Sequence, residues 1–345
     1  MSVLEQLEAA ILSDPLDLDA YAVYGDYLVE QGDPRGELIA VQIAAERSAD
    51  PELGRAALRV FAKHRDYLIG ELGSMIATDA FTWRAGFIQR AVLSQDRMLI
   101  EDGARVASSL AEVVTKLFSH PSARFLRELV IRTNDRSVQG SQKDIVDAIA
   151  RARPQVLRRL QLGDATYGFA RIGRLEQLWP SVASLDELVV EGDVSFGKLE
   201  LPELRTLSLW AMPLKRKLAR ELVEAKWPKL RSLSLNLGNS PEHITREIVM
   251  LMHRTDMPGL RHLGLLAFQD AEKVIEELSR APLLARLESL ELRHGKISDR
   301  GVKPMLVHAA AFEHLRFIDL RGTAITVKQL ARLVHRLPNV VGKSP

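Results

Sequence analysis

Leu204-Arg-Thr-Leu-Ser-Leu209 and Leu230-Arg-Ser-Leu-Ser-Leu235 are two copies of one pattern, in which an apolar residue is followed by two more, three and five positions later. The pattern occurs eight times in the 345-residue chain, beginning at positions 126, 157, 185, 204, 230, 260, 287 and 315. Successive copies start 19 to 31 residues apart, and most of these steps are close to 28. A repeat of this period predicts one short strand and one helix per unit, each unit stacked on the next.

The repeated pattern resembles the core of leucine-rich repeats. Near the C-terminal end, Ile297, Val302 and Met305, and again Ile325 and Leu330, resemble the helical half of ribonuclease-inhibitor-like repeats. The resemblance implies an α/β fold, a leucine-rich-repeat solenoid (horseshoe) of about eight strand–helix repeats. We predict that this domain spans residues 121–345.

The N-terminal segment contains a second set of spaced motifs: LEAAILSDP at 7–15, YGDYL at 24–28 and GDPRGELI at 32–39. Together they resemble the bacterial repeat-companion domain of myxobacterial and planctomycete-like proteins, with Tyr27 where that family usually has tryptophan. The resemblance implies a bacterial protein with a small helical module ahead of its repeats, and it carries no assigned activity. We predict a helical domain over 1–70. Asp14, Asp17 and Asp33 are interpreted as helix caps rather than cation ligands.

Between these domains, apolar residues alternate around Gly86 over 81–93, which predicts a hairpin or a bent strand. A solenoid exposes an apolar end at its first repeat, and that end must be covered. We therefore predict that capping strands and a helix over 71–120, with the N-terminal helices, form an N-terminal α-helical cap domain. Trp83 and Phe87 are interpreted as buried beneath the cap rather than as the lining of a pocket.

Composition and charge narrow the class of protein. The chain has no cysteine, which excludes disulfides, thiol catalysis and cysteine-ligated zinc, and its net charge is +2. The charge is uneven, because residues 1–50 contain eleven acids and only two arginines. No stretch approaches the roughly 18 consecutive apolar residues that a membrane helix needs, and the first segment lacks the basic start of a secretory signal. We predict a cytoplasmic protein that does not interact with membranes.

The sequence contains no catalytic constellation. There is no Gly-x-Ser-x-Gly elbow and no His-Glu-x-x-His pair. The nine histidines are scattered, and His253, His262, His294 and His314 fall in different repeats at unmatched positions. We therefore predict that the protein is not an enzyme and uses no metal, no cofactor and no small-molecule substrate.

The residues that alternate with the leucines are expected on the exposed face of the strands. Exposed strand faces of repeat proteins are usually binding surfaces, and tryptophan and arginine most often dominate interface energies. We predict an interaction scaffold that binds a partner protein on the concave strand face. The predicted contact residues are Trp210, Arg321, Arg293, Glu191, Phe317, Asp319 and His262.

Two alternatives remain open. The residue after the first leucine is often arginine, which could form a basic ridge for an acidic partner or an RNA backbone; it does so at Arg127, Arg158, Arg205, Arg231, Arg261 and Arg316. Asp186 and Glu288 interrupt the row and no aromatic platform accompanies it, so the pattern favours a structural role over nucleic-acid binding. The protein could also regulate an enzyme, as an inhibitor or a GTPase-activating protein, through Arg132, Arg293 or Arg321.

Overall fold

The computed structural model describes residues 2–48, 50–101, 104–107, 109–133, 142–164, 166, 170–211, 213–238 and 244–342. The described residues fall into two compact units. The first consists of those within 1–132 and 137–160, and the second of those within 133–136 and 161–345. The limits predicted at residues 70 and 120 both lie inside the first unit.

The first unit begins with six helices: α1 (Val3–Ser13), α2 (Leu18–Glu30), α3 (Pro34–Ser48), α4 (Pro51–Lys63), α5 (Arg65–Ile69) and α6 (Leu72–Met75). Helix α1 starts at a capping box, because Ser2 Oγ accepts the Glu5 backbone N–H at 3.2 Å and the Glu5 carboxylate accepts the Ser2 N–H at 2.8 Å. The caps predicted for Asp17 and Asp33 are confirmed, because Asp17 accepts the Asp19 N–H at 2.9 Å at the start of α2 and Asp33 accepts the Arg35 N–H at 2.8 Å at the start of α3. Asp14 differs from the prediction, because its carboxylate accepts the Leu16 N–H at 3.0 Å within the turn that follows α1.

The rest of the first unit contains β1 (Phe81–Arg84), β2 (Phe87–Ser94), β3 (Ile100–Glu101), β4 (Ala104–Arg105), α7 (Leu110–Ser119), β5 (Glu128–Arg132) and α8 (Gln142–Ala152). Strands β1 and β2 form an antiparallel hairpin, which is one of the two forms predicted, and β2 pairs with β5 in parallel. In the turn between β1 and β2, Ala85 and Gly86 have φ values of 47° and 76°. Glycine is suited to this left-handed region because it has no Cβ.

An aromatic cluster forms the core between the helices and the hairpin. The ring of Phe87 lies 4.8 Å from that of Phe125 and 5.9 Å from that of Tyr24, measured between centroids. Phe87 is buried, and the half-buried Trp83 packs edge-on against Phe61 at 4.9 Å. Both residues therefore contribute to the packing of the first unit.

Arg35 is buried in this unit, with 4% of its surface exposed. Its Nη1 donates to the Gly86 carbonyl and to Ser122 Oγ, both at 2.9 Å, and its guanidinium carbon lies 4.9 Å from the Phe87 ring centroid. Burial lowers the pKa of Arg35, and the nearby Asp33 carboxylate opposes this shift. Arg35 thus ties the start of α3 to the hairpin turn from inside the unit.

The second unit alternates strands and helices. After β6 (Arg159–Leu162), which spans the division between the units in sequence, it contains β7 (Ala170–Arg174), β8 (Glu187–Ser195), β9 (Thr206–Trp210), α9 (Arg216–Glu224), β10 (Ser232–Asn236), α10 (Thr245–Met252), β11 (His262–Leu266), α11 (Ala271–Leu278), β12 (Ser289–Glu291), α12 (Asp299–Val307), β13 (Phe317–Asp319), α13 (Val327–Arg336) and β14 (Val340–Val341). Strands β8 to β14 pair in chain order and in parallel. The helices α9 to α13 pack successively against one another.

The repeated apolar residues explain this arrangement. Every motif residue from Leu185 to Leu320 has at most 2% of its surface exposed. Burial of these side chains between strands and helices supplies the main stabilising free energy, at about 25 cal/mol per Å² of apolar surface. The α/β architecture and the repeat solenoid predicted from the motif are confirmed in the second unit. Strand β7 was not predicted, and it pairs with the second half of β8.

Side-chain donors join consecutive repeats at the connections between helices and strands. Arg254 donates to the Leu222 and Ala225 carbonyls at 2.9 and 2.6 Å, at the end of α9. Three later residues make the corresponding bond one repeat further on: Arg286 to the Arg254 carbonyl at 3.1 Å, His314 to that of Leu284 at 2.9 Å, and Asn339 to that of Leu315 at 2.5 Å. Each donor thus binds a backbone carbonyl group of the preceding repeat.

Candidate binding surface on the strand face

The parallel register of β8 to β13 aligns the residues between the leucines into three rows, here called the strand face. The first row is Glu187, Thr206, Ser232, His262, Ser289 and Phe317. The second row is Val189, Ser208, Ser234, Gly264, Glu291 and Asp319. The third row is Glu191, Trp210, Asn236 and Leu266. Five of the seven predicted contact residues lie in these rows, and Arg293 and Arg321 follow β12 and β13 by two residues.

Trp210 is the largest aromatic residue of the strand face. It lies in register between Glu191 and Asn236, with 41% of its surface exposed, and the other three tryptophans are more buried. An indole ring contributes a large apolar area at little conformational cost, and this is why tryptophan is common among the residues that dominate interfaces. The position of Trp210 is thus suited to contact with another molecule.

The centre of the face is shallow, because its second row contains Ser208, Ser234 and Gly264. A Cβ atom at position 264 would lie 3.0 Å from Ser234 Oγ, closer than most Cβ contacts in proteins. The absence of large side chains there leaves room beside Trp210 for a protruding group. His262 Nδ1 lies 2.7 Å from Ser289 Oγ in the first row, so this histidine is oriented by its neighbour.

A network of two arginines and two acids lies at the β12–β13 end of the face. Arg321 donates through Nη2 to Asp319 at 2.6 Å and through Nε at 3.0 Å, and Arg293 Nη2 bonds Glu291 at 2.8 Å. Arg293 Nε also lies 3.6 Å from the Asp319 carboxylate. Burial alone would raise the pKa of Asp319, but the hydrogen bonds and charges of Arg321, followed by the charge of Arg293, outweigh it and leave this pKa lowered. The Asp319 carboxylate in turn raises the pKa of Arg321.

Two residues of the second row are more buried than the alternation of the sequence predicts. Asp319 was expected on the exposed face, but only 1% of it is accessible, so it positions Arg293 and Arg321 rather than presenting its own carboxylate. Val189 was also expected to be exposed and is buried. The guanidinium groups of Arg293 and Arg321 are already bound to carboxylates. An arginine inserted into another enzyme would have to give up such bonds.

A separate cleft of about 550 Å³ lies within the first unit, beside α1 and the ends of α7 and α8. Arg124 and Glu8 form an ion pair in its wall, and Glu8 also accepts the Tyr24 hydroxyl at 3.3 Å. The charges of Arg124 and Glu8 are thus paired with each other. Within the part of the chain that the structure describes, no three His, Asp or Glu residues are grouped so that they could hold a metal ion. The described helices are all too short or too polar to cross a membrane.

Comparisons with known proteins bear on the fold. No family model and no curated protein matches the chain. Among solved structures, a protein from Bacteroides fragilis matches with a TM-score of 0.59 and 18% identity, over 72% of this chain and 77% of that chain. An internalin from Listeria monocytogenes matches with a TM-score of 0.29 and 14% identity, over 75% of this chain and 87% of that chain. Internalin C2 from the same species matches with a TM-score of 0.31 and 16% identity, over 68% and 92% of the two chains.

The similarity to the Bacteroides fragilis protein shows a shared fold and carries no information on activity at this identity. The class of fold follows from the repeat itself. Buried leucines at fixed spacing form parallel strands in register, with a helix between most successive strands. The second unit is a leucine-rich-repeat solenoid.

Proposed function

We propose that the protein is a non-enzymatic scaffold that binds a partner protein on its strand face. The observation that carries the proposal is the half-exposed Trp210 beside a row of small residues, Ser208, Ser234 and Gly264, on aligned strands. Six strands at a spacing of about 4.8 Å form a surface about 24 Å across, which is wide enough for a peptide segment or an edge of a folded domain.

The proposal includes the finer architecture predicted from the sequence. The solenoid comprises about eight repeats and curves as a horseshoe, so that the strand face is its concave side. The N-terminal helical module is a repeat-companion domain that covers the first repeat, and the protein works in the bacterial cytoplasm. Phe317, Glu191 and His262 contribute to the contact around Trp210, and Arg293 and Arg321 border it. Residues 71–120 supply the strands and the helix that complete this cap at the start of the solenoid.

Affinity capture from a lysate of the source organism, followed by quantitative mass spectrometry, tests this proposal. Bait proteins are the wild type, the Trp210→Ala variant and a matched control, Met250→Ala, which removes a large side chain that is 47% exposed on α10. We expect a protein that the wild type and the control retain and that Trp210→Ala loses by about tenfold or more, the range of a residue that dominates an interface. Equal recovery with all three baits would contradict binding at the strand face.

A further inference from the structure

Three arginines lie side by side at the amino-terminal ends of the three central strands. Arg205, Arg231 and Arg261 immediately precede β9, β10 and β11. The Arg231 N–H donates to the Arg205 carbonyl and the Arg261 N–H donates to the Arg231 carbonyl, both at 2.8 Å, so the three residues are in register. We call this row the arginine edge. Its members are about 4.8 Å apart, the spacing of neighbouring strands.

The three central strands carry no negative charge beside this edge. Their fifteen residues, all of which the structure describes, include no aspartate or glutamate. Acids occur instead on the strands to either side. On one side they precede or belong to β8, as Asp186, Glu187 and Glu191, and on the other they precede or belong to β12, as Glu288 and Glu291. The result is a positive band three strands wide with a negative border on each side.

The arginine edge is incompletely neutralised. Arg205 Nε lies 3.8 Å from Asp186 and Arg261 Nε lies 3.9 Å from Glu288, both at the limit of an ion pair. Arg231, between them, is exposed and has no acidic side chain within ion-pair distance among the described residues. Solvent screens each such charge, but three cations in one row act on the same partner, and their attraction adds.

We propose that the occupant of the strand face is an acidic segment of a partner protein that crosses β9, β10 and β11. Its carboxylates bind the arginine edge through charge-assisted hydrogen bonds, and an apolar side chain of the same segment packs on Trp210, at the opposite ends of these strands. In each of these strands, the arginine and the last residue of the strand are five residues apart, which corresponds to about 16 Å along the strand. A peptide of a few residues spans this distance. The assignment rests on the proposed function, since it names the chemistry of the partner at the same surface.

The acidic borders of the positive band favour a protein segment over a nucleic acid as the molecule that binds there. A phosphate backbone carries negative charge at every nucleotide, and beyond the positive band it would meet the acids of β8 and β12. The band is only about 10 Å wide, which is two strand spacings. The rings among the fifteen residues of these strands are Trp210, at the end of β9, and His262, at the start of β11, so successive bases would have no continuous series of rings to stack on. A protein segment can confine its acids to the band and place neutral or basic residues over the borders.

The test uses the full chain and fluorescence anisotropy. The probe is a short fluorescein-labelled peptide built from glutamate, serine and leucine, with a glutamine-for-glutamate version and a labelled oligouridylate as comparisons. The proteins are the wild type, Arg231→Gln, Arg231→Glu and the control Arg300→Glu, which makes the same charge change at an exposed residue of α12. Circular dichroism establishes that each variant is folded.

We expect the acidic peptide to bind the wild type and Arg300→Glu equally, Arg231→Gln more weakly, and Arg231→Glu about tenfold or more weakly, because reversal turns attraction into repulsion. Added salt weakens binding, and the glutamine peptide binds poorly. The proposal is overturned if the glutamate and glutamine peptides bind alike, if neither binds, or if oligouridylate binds more tightly with the same dependence on Arg231.

The lysate experiment separates this inference from the proposed function. A partner that is lost with Trp210→Ala and retained with Arg231→Glu would leave the strand face as the binding surface and overturn the acidic segment. A partner lost with both variants supports both. Retention with both would overturn the proposed function itself.

Discussion

The guanidinium carbon of Arg254 lies 5.4 Å from the centroid of the Trp227 ring, so that this arginine stacks on a tryptophan that is 1% exposed. The same guanidinium group donates to the Leu222 and Ala225 carbonyls at the end of α9. Arg254 therefore combines an aromatic contact inside the solenoid with hydrogen bonds from its own repeat to the preceding one.

Replacement of Arg254 is expected to destabilise the protein. Arg254→Leu should lower the free energy of unfolding by about 2–3 kcal/mol, because it removes charge-assisted hydrogen bonds and leaves two carbonyl groups unpaired. Urea unfolding followed by circular dichroism measures the difference. The control is Arg300→Leu, whose exposed side chain has no hydrogen bond or ion pair with the described residues. Its effect should stay within about 0.5 kcal/mol. Equal effects of the two variants would show that Arg254 does not join the repeats.

The two tryptophans of the central repeats should respond differently to truncation. Trp227→Ala should cost about 3–5 kcal/mol of stability, because it leaves a large cavity in the core. Trp210→Ala, on the strand face, should cost about 1 kcal/mol or less, because much of its ring is already in water. Thermal unfolding of both variants under one set of conditions makes the comparison. A large loss with Trp210→Ala would make that residue part of the core and would weaken its use in the capture experiment.

Asp319 should make stability depend on acid pH. Its pKa is lowered in the folded protein below the unfolded value of about 3.9, so its contribution is fully present above that unfolded value and is lost as pH falls through the folded pKa. Asp319→Asn should therefore lower the free energy of unfolding by about 2 kcal/mol at neutral pH. The difference from the wild type should shrink below about pH 4. Urea titrations at several pH values measure it, and a difference that stays constant down to strong acid would contradict the ion-pair network.

Gly86 should tolerate alanine less well than Gly32, although both have a left-handed backbone. A Cβ at position 86 would lie 2.5 Å from Ile39 Cγ1, whereas one at position 32 would have no neighbour within 4 Å. Their φ values are 76° and 73°, so backbone strain of about 1 kcal/mol applies to each. The steric term should add about 2 kcal/mol at position 86 alone. Chemical denaturation of the two alanine variants gives this difference directly, and equal losses would show that the turn relaxes around the new methyl group.

The repeat architecture could be predicted from the sequence, because each Leu-x-x-Leu-x-Leu unit decides its own strand locally. The hairpin around Gly86 and the aspartate caps were also predictable, since alternation and capping act over a few residues. The burial of Arg35 was not. Its partners Gly86 and Ser122 are 51 and 87 residues away, and nothing in the local sequence indicates that they meet.

On the strand face, too, contacts between residues far apart in the sequence could not be predicted. Strict alternation predicted an exposed Asp319, but Arg293 and Arg321 from two successive repeats cover and bind it. Strand β7 pairs with the extended end of β8 and carries no leucine motif, so the repeat pattern could not indicate it. The arginine edge was visible in the sequence, because an arginine follows the first leucine of the motif in most repeats. Its place beside three adjacent strands without acidic residues became clear only when the register of β9 to β11 was known.

The hydrogen bonds that join consecutive repeats use three kinds of donor, arginine at Arg254 and Arg286, then histidine at His314 and asparagine at Asn339. Arginine, histidine and asparagine side chains differ in length and in the number of N–H groups that they offer, so each donor matches the carbonyl groups of the repeat before it. The repeats are consequently not interchangeable parts. A shortened or lengthened version of this solenoid, made by deleting or duplicating one repeat, would place a donor against carbonyls that it does not fit. Engineering of its length will have to transfer repeats together with their neighbours.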